Sequence, residues 1–259
     1  MRRHAGFTLV ELIIVIILLG IVATISVQFV ALSTSGAIDV GARQQRALQG
    51  VVISEQITRE LRGAFPLSVR TSGSCIEWIP IAAGTSYTEL TKGPDFDRIS
   101  VAPLSNVPAI GGIRAVVYGY GTPVSSLYGD SDPGPVSSEI SAMDNGSSPA
   151  VITLSESHRF SRQSPEKRLF IVSEPVSLCQ SGRFLYRYSG YARDPSQPAP
   201  PIDGISEVMA ANLQGNVDFQ FTPATFRRAA VVQFTFTLED RQGDETTTVS
   251  QEVQIRNVP

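Results

Sequence analysis

Residues 7–32 form an apolar run broken only by Thr8, Glu11, Gly20, Thr24, Ser26 and Gln28. As a helix rising about 1.5 Å per residue, the run reaches about 39 Å. A bilayer core takes about 20 apolar residues, so the segment crosses one with some tilt. A chain that begins this way must place the run in lipid or against other apolar helices. Glu11 is the anomaly. A carboxylate inside a membrane helix costs about 2.5 kcal/mol or more at the centre and less towards the end. The run contains no basic residue, so Glu11 asks for a partner from another chain.

Ahead of the run stand Met1-Arg2-Arg3-His4-Ala5-Gly6. Positive charge at a short N-terminus predicts that this end stays in the cytoplasm and that everything after Leu32 lies outside. A secretory signal has an apolar core of about 7–15 residues followed by a small-residue cleavage site. This run is longer, it carries Glu11, and Ala31-Leu32-Ser33 is a weak site. An uncleaved signal anchor accounts for the charge and the length, but not for Glu11 or for Gly6 directly before the run. The remainder, about 200 residues, suffices for one packed domain or two small ones. With a net charge of −3 there is no electrostatic case for nucleic acid.

Gly6-Phe7-Thr8-Leu9-Val10-Glu11-Leu12 resembles the class III signal of type IV pilins and of type II secretion pseudopilins. The resemblance implies that a prepilin peptidase cuts after Gly6 and N-methylates Phe7. It also implies that Glu11 pairs with the amino terminus of a neighbouring subunit, which offsets the desolvation of the acid only on assembly. Many major pilins have proline at the position of Gln28, which this chain lacks. Scattered segments of the second half also resemble minor pilins of the mannose-sensitive haemagglutinin (MSHA) pilus. They are Ser164-Pro165, Arg168-Leu169-Phe170-Ile171-Val172, Pro175-Val176 with Cys179, Arg187-Tyr188-Ser189-Gly190-Tyr191, and the closing Val253-Gln254-Ile255-Arg256-Asn257-Val258-Pro259.

Beyond Ser33 the chain turns polar but keeps helical spacing. Ile38 and Ala42, Leu48 and Val52, then Ile53, Ile57 and Leu61 make one drifting apolar stripe that predicts packing on a sheet. Gly36, Gly41 and Gly50 mark bends or close contacts, and Arg62-Gly63 before Pro66 is a stop signal. Strands are expected over residues 75–81, 98–101, 115–118, 150–154, 168–178 and 183–188. Long loops are expected over 118–135, 137–149 and the proline-rich 189–205, with 205–213 ambiguous. Val217, Phe219 and Phe221, then Val232, Phe234, Phe236 and Leu238, then Thr247, Val249, Val253 and Ile255 are three period-two runs. With a turn through Arg241-Gln242-Gly243-Asp244 they predict an antiparallel meander covered by the helix. The expected fold class is α+β: a long N-terminal helix on an antiparallel β-sheet head. The parts are a leader (1–6), a transmembrane and assembly helix (7–32), its amphipathic continuation (33–62) and a periplasmic head (63–259).

Outside the cytoplasm, Cys75 and Cys179 can form a disulfide closing a loop of about 100 residues, with two buried thiols as the alternative. No metal-ligand spacing surrounds them. After loss of the leader His158 is the one histidine. Ser155-Glu156-Ser157-His158 has no nucleophile-elbow pattern, so no catalytic residue and no cofactor are expected. Asp130 with Asp132, or Asp95 with Asp97, are calcium candidates by analogy with pseudopilin head loops, but Pro133 and the missing third acid favour ordinary turns. Asn145-Gly146-Ser147 matches a glycosylation sequon and reads as a turn. Loops 119–135 and 189–204 are candidate adhesive surfaces.

Together these readings describe a minor pilin, first a single-pass inner-membrane precursor with its head in the periplasm, then part of an extracellular pilus. The expected partners are prepilin peptidase, other major and minor pilins through the N-terminal helix, and the inner-membrane assembly platform, with no nucleic acid. The alternative is a minor pseudopilin of a type II secretion system.

Overall fold

The computed structural model describes residues 8–90, 96–118, 121–225, 228–240 and 245–256. It divides into two compact units, Met1–Gln49 and Gly50–Pro259, and the division falls inside the one long helix, α1 (Leu9–Arg62). The expected turn through Arg241-Gln242-Gly243-Asp244 and the closing Asn257-Val258-Pro259 lie outside the described residues.

Among the described residues fourteen strands follow α1: β1 (Arg70–Ser72), β2 (Cys75–Trp78), β3 (Ile81–Glu89), β4 (Arg98–Val101), β5 (Arg114–Val116), β6 (Val136–Asp144), β7 (Ala150–Leu154), β8 (Arg168–Val172), β9 (Val176–Ser181), β10 (Phe184–Ser189), β11 (Ile205–Ala210), β12 (Leu213–Thr222), β13 (Ala230–Glu239) and β14 (Thr246–Ile255). They build a five-stranded sheet in the order β1-β2-β9-β10-β11, a three-stranded meander β12-β13-β14, and a closed barrel β3-β4-β7-β6-β5-β8. All named pairings are antiparallel. The layout is therefore α+β, consistent with a pilin-like fold.

In the second unit the last turns of α1 are built into the core. Ile53, Ile57 and Leu61 are 7%, 0% and 0% exposed. They share one apolar cluster with Ile76, Trp78 and Leu178 of the five-stranded sheet and with Phe219, Phe234, Phe236 and Val253 of the meander. Helical spacing puts Ile53, Ile57 and Leu61 on one stripe, and strand alternation turns every second residue of both sheets towards it. Gly50 belongs to this contact, since a Cβ there would stand 2.7 Å from Val249 Cγ2. Arg187 on β10 donates its Nε–H to both carboxylate oxygens of Glu60 at 3.0 Å. Past the helix, Phe65 N–H donates to the Ile79 carbonyl and Ile81 N–H to the Gly63 carbonyl, both at 2.8 Å.

The stripe is shorter than its sequence spacing predicts. Ile38, Leu48 and Val52 are 65%, 59% and 56% exposed. The strands also depart from expectation in several places. Residues 137–149, expected as loop, contribute β6, and β3 was not foreseen. Both are poor in large apolar residues (Ile-Ala-Ala-Gly-Thr-Ser-Tyr-Thr-Glu and Val-Ser-Ser-Glu-Ile-Ser-Ala-Met-Asp), because they hold their places through backbone pairing in a barrel wall with one face in water. The barrel core comes from their neighbours, chiefly Ile99, Val101, Ala115, Ile152, Leu169 and Ile171. The expected strand 75–81 is two strands, since Pro80 cannot donate to a ladder and the chain changes sheets there. The ambiguous 205–213 is strand β11 followed by the start of β12.

Candidate assembly and processing site

Gly6 and Phe7 lie outside the described residues. The site begins at Thr8, immediately before α1. The Thr8 hydroxyl accepts the Glu11 N–H at 3.3 Å, and the Thr8 carbonyl accepts the Leu12 N–H at 3.2 Å. Thr8 is thus the N-cap and Glu11 the third helical residue, the Thr-x-x-Glu spacing of a capping box. Glu11 also sits in the first turn, where the positive end of the helix dipole favours a carboxylate. The apolar side chains around it are exposed along the described part of the run, with Leu9 at 73% and Phe29 at 71%. α1 is long and apolar enough to cross a membrane, with none of its apolar window buried. Such a surface is stable only in lipid or against other apolar helices.

In the head, β2 and β9 place Cys75 directly opposite Cys179. The two are joined by a disulfide with Cα atoms 4.2 Å apart. On the same face of the sheet lies a polar cluster. Arg70 pairs with Glu77, and its guanidinium carbon stands 3.5 Å above the centre of the Tyr128 ring. Arg70 also donates to the carbonyls of Asp194 and Pro195 at 2.6 and 3.0 Å. Tyr191 donates to Glu77, and Tyr128 donates to the Ser68 carbonyl at 2.7 Å. This cluster straps the proline-rich loop after β10 onto the sheet. Burial raises the pKa of Glu77 above the ordinary glutamate range, outweighing the hydrogen bond and charge of Arg70. Burial likewise raises Tyr191 and Tyr128, with the negative charge of Glu77 adding to the effect.

The candidate hydrolase residues and one of the two calcium pairs, Asp130 with Asp132, meet in a cleft of about 380 Å³ lined also by Arg114, Glu139 and Glu156, among others. His158 is buried at 4% exposure. Its Nδ1 lies 3.8 Å from Asp132, but its Nε2 is engaged with the Gly134 carbonyl at 3.2 Å. The nitrogen that activates a serine in a Ser-His-Asp site is therefore occupied by backbone. Burial lowers the His158 pKa, against the opposing pull of Gly134 and Asp132. Asp130 is paired with Arg114 at 2.9 Å, and Asp132 accepts the Arg159 N–H at 2.9 Å. Both aspartates are thus tied to distant parts of the head, Asp130 to the Arg114 side chain and Asp132 to the Arg159 backbone. Asp95 lies outside the described residues. Among the described residues no group of three or more His, Cys, Asp or Glu could hold a metal ion. Asn145 bonds both ways with the backbone of Leu104, at 2.7 and 3.0 Å, so it pins a loop in the turn before β7.

Sequence reasoning missed the capping role of Thr8, although the Thr-x-x-Glu pattern before an apolar run carries it. It also missed the Arg70–Glu77–Tyr191 cluster, whose members are far apart in sequence and share no motif.

Residues 1–27 match the family model of the prokaryotic N-terminal methylation motif. The match supports the type IV pilin superfamily, pilin or pseudopilin, and a membrane-anchored chain. That family is structural rather than catalytic. The motif implies processing by prepilin peptidase and assembly with other pilins. No curated protein and no solved structure matches the chain.

Proposed function

We propose that this chain is a minor pilin of an MSHA-type pilus, of the MshO kind. It enters the inner membrane as a precursor with the N-terminus in the cytoplasm and the head in the periplasm. Prepilin peptidase cuts after Gly6 and methylates Phe7. The chain then joins the filament through the apolar face of α1, with Glu11 taking the amino terminus of a neighbour as its counter-charge, and serves pilus assembly or tip structure and so, indirectly, adhesion. The observation that carries this reading is the N-terminal methylation motif over residues 1–27. The large head supports a low-copy place over a repeating one, and its scattered similarity to MSHA minor pilins supports the finer assignment.

Mass spectrometry of the mature N-terminus tests the processing: N-methyl-Phe7 is expected, and an intact Met1 refutes it. Recovery of the mature chain in sheared pili tests the machine. Its absence there, with a secretion defect on deletion, points to a type II secretion pseudopilin instead.

A further inference from the structure

The head covers only one side of the helix end that enters it. In the second unit Ile53, Ile57 and Leu61 turn into the core. Helical spacing puts Val51, Val52, Glu55, Arg59 and Arg62 on the far side. There Val51 and Val52 are each 56% exposed. With Gln56 these residues line a groove of about 610 Å³ along α1. Val52, Glu55, Arg59 and Arg62 follow one another at spacings of three, four and three residues, the period of a seam that meets a second helix.

The chemistry of this face changes along its length. It is apolar at Val51 and Val52 and cationic at Arg59 and Arg62, which fall in the last turn of α1. Glu60, on the side turned to the sheet, is held by Arg187 at 3.0 Å. Among the described residues no hydrogen bond or ion pair holds the side chains of Glu55, Arg59 or Arg62. A place in the last turn suits a cation through the helix dipole. The dipole is indifferent to the side of the helix, however, and these two arginines both stand in line with Val52.

We propose that this face of α1 docks an amphipathic helix of a different pilin-type subunit, apolar where it meets Val51 and Val52 and carboxylate-bearing where it meets Arg59 and Arg62. The inference rests on the reading of the chain as an anchored subunit that assembles with other pilins, and it names the partner chemistry of the helix beyond the apolar run. Anchoring fixes the orientation. Helices that enter a membrane from the same side run parallel, so the carboxylates of the partner lie about 11 Å beyond its apolar contact, towards its C-terminus. The same orientation disfavours a second copy of this chain. At equal height a copy sets Arg59 and Arg62 against the same two arginines, a like-charge juxtaposition. Opposite charges on a different subunit instead fix the height at which the two helices meet. Anchoring in one membrane also raises the local concentration, so a face of this modest size suffices.

Photo-crosslinking in cells that express the full-length chain beside other pilins tests the docking, with benzoylphenylalanine in place of Val51 or Val52. The expected product is a crosslink to a different membrane-anchored chain, identified by mass spectrometry. That chain should carry an N-terminal methylation motif and, in the crosslinked helix, acids at the stated distance. Arg59→Glu with Arg62→Glu is expected to cut the yield at least tenfold, and Arg59→Lys with Arg62→Lys to keep it. Changing the acids of the partner to lysine lowers the yield with the parent chain and restores it with the glutamate variant, a pattern that misfolding of this chain does not produce. The proposal is overturned by a crosslink chiefly to a second copy, by a partner without such a helix, by no crosslink at either position, or by a yield indifferent to charge reversal. Those outcomes in a processed, membrane-bound chain strike the docking alone. A chain missing from the membrane fraction overturns the anchored reading, and the docking with it.

Discussion

Tyr191 donates its phenolic hydrogen to Oε1 of Glu77 at 3.0 Å, joining the loop after β10 to a carboxylate on β2 that is 2% exposed. Burial raises the pKa of Glu77, so the folded chain holds that proton more tightly than the unfolded one. The stability linked to this group is fully present below the unfolded value of 4.5 and is lost as pH rises through the raised folded value. The Tyr191 hydrogen bond opposes the shift. Tyr191→Phe is therefore expected to raise the Glu77 pKa further and to move the loss to higher pH. Where Glu77 is ionised it should cost about 1.5–3 kcal/mol, as expected for a hydrogen bond to a charged group. Urea unfolding from about pH 4 to 7 measures both effects. Superimposable pH profiles for the two proteins would remove Tyr191 from this role.

The disulfide links residues 104 apart and spans the centre of the five-stranded sheet. A loop of that length restricts the unfolded chain by about 4–5 kcal/mol in the entropy model. Replacing both Cys75 and Cys179 by serine is expected to lower the urea midpoint accordingly. A loss below about 1 kcal/mol would show that the β2–β9 pairing holds without the bridge.

Gly50 and Gly41 lie on the same helix and are expected to respond oppositely to alanine. At Gly50 a Cβ meets Val249 Cγ2 at 2.7 Å, whereas at Gly41 nothing lies within 4 Å. Gly50→Ala forces a shift in the helix–meander contact that costs about 1–3 kcal/mol, against a helix-propensity gain of up to about 1 kcal/mol. Gly41→Ala keeps only the gain. Thermal unfolding of the two variants is expected to move in opposite directions, and a Gly50→Ala chain as stable as Gly41→Ala would mean that Val249 swings aside freely.

These contrasts show where the sequence was readable. The apolar run, the meander and the lower stripe of α1 announce themselves because large apolar residues recur at the period of the element that buries them. Ile53, Ile57 and Leu61 carry that signal and are buried. Ile38, Leu48 and Val52 carry it too and are exposed, because periodicity says which face is apolar but not what covers it. Two of the barrel strands were silent for the opposite reason. Strands β3 and β6 are held by backbone bonds that every residue type can make, so Ala83, Gly84, Ser137 and Ser138 leave no pattern. At the candidate site, Glu11 stood out as a charge in an apolar run, while the hydroxyl beside it, Thr8, was passed over as a mere interruption.

The Thr-x-x-Glu spacing offers Glu11 a capping duty beside the proposed duty as counter-charge, and glutamine separates the two. Thr8 and Glu11 stand in the Thr-x-x-Glu relation, with the Glu11 N–H held by the Thr8 hydroxyl. Glutamine serves the third position of a capping box nearly as well as glutamate. Counter-charge to a neighbour's amino terminus, in contrast, requires the carboxylate. If charge pairing governs assembly, Glu11→Gln fails to enter filaments as completely as Glu11→Ala, while both precursors still accumulate in the membrane. If capping governs, Glu11→Gln assembles normally, and Thr8→Ala reproduces the Glu11→Ala defect through the loss of about 1 kcal/mol at the N-cap. Sheared-filament recovery of the three variants, normalised to membrane precursor, measures the difference. The proposed role of Glu11 predicts an ordering in which Glu11→Gln groups with Glu11→Ala and Thr8→Ala stays near the parent. The reverse ordering assigns Glu11 to the helix end of its own chain and leaves the neighbour's amino terminus to another partner.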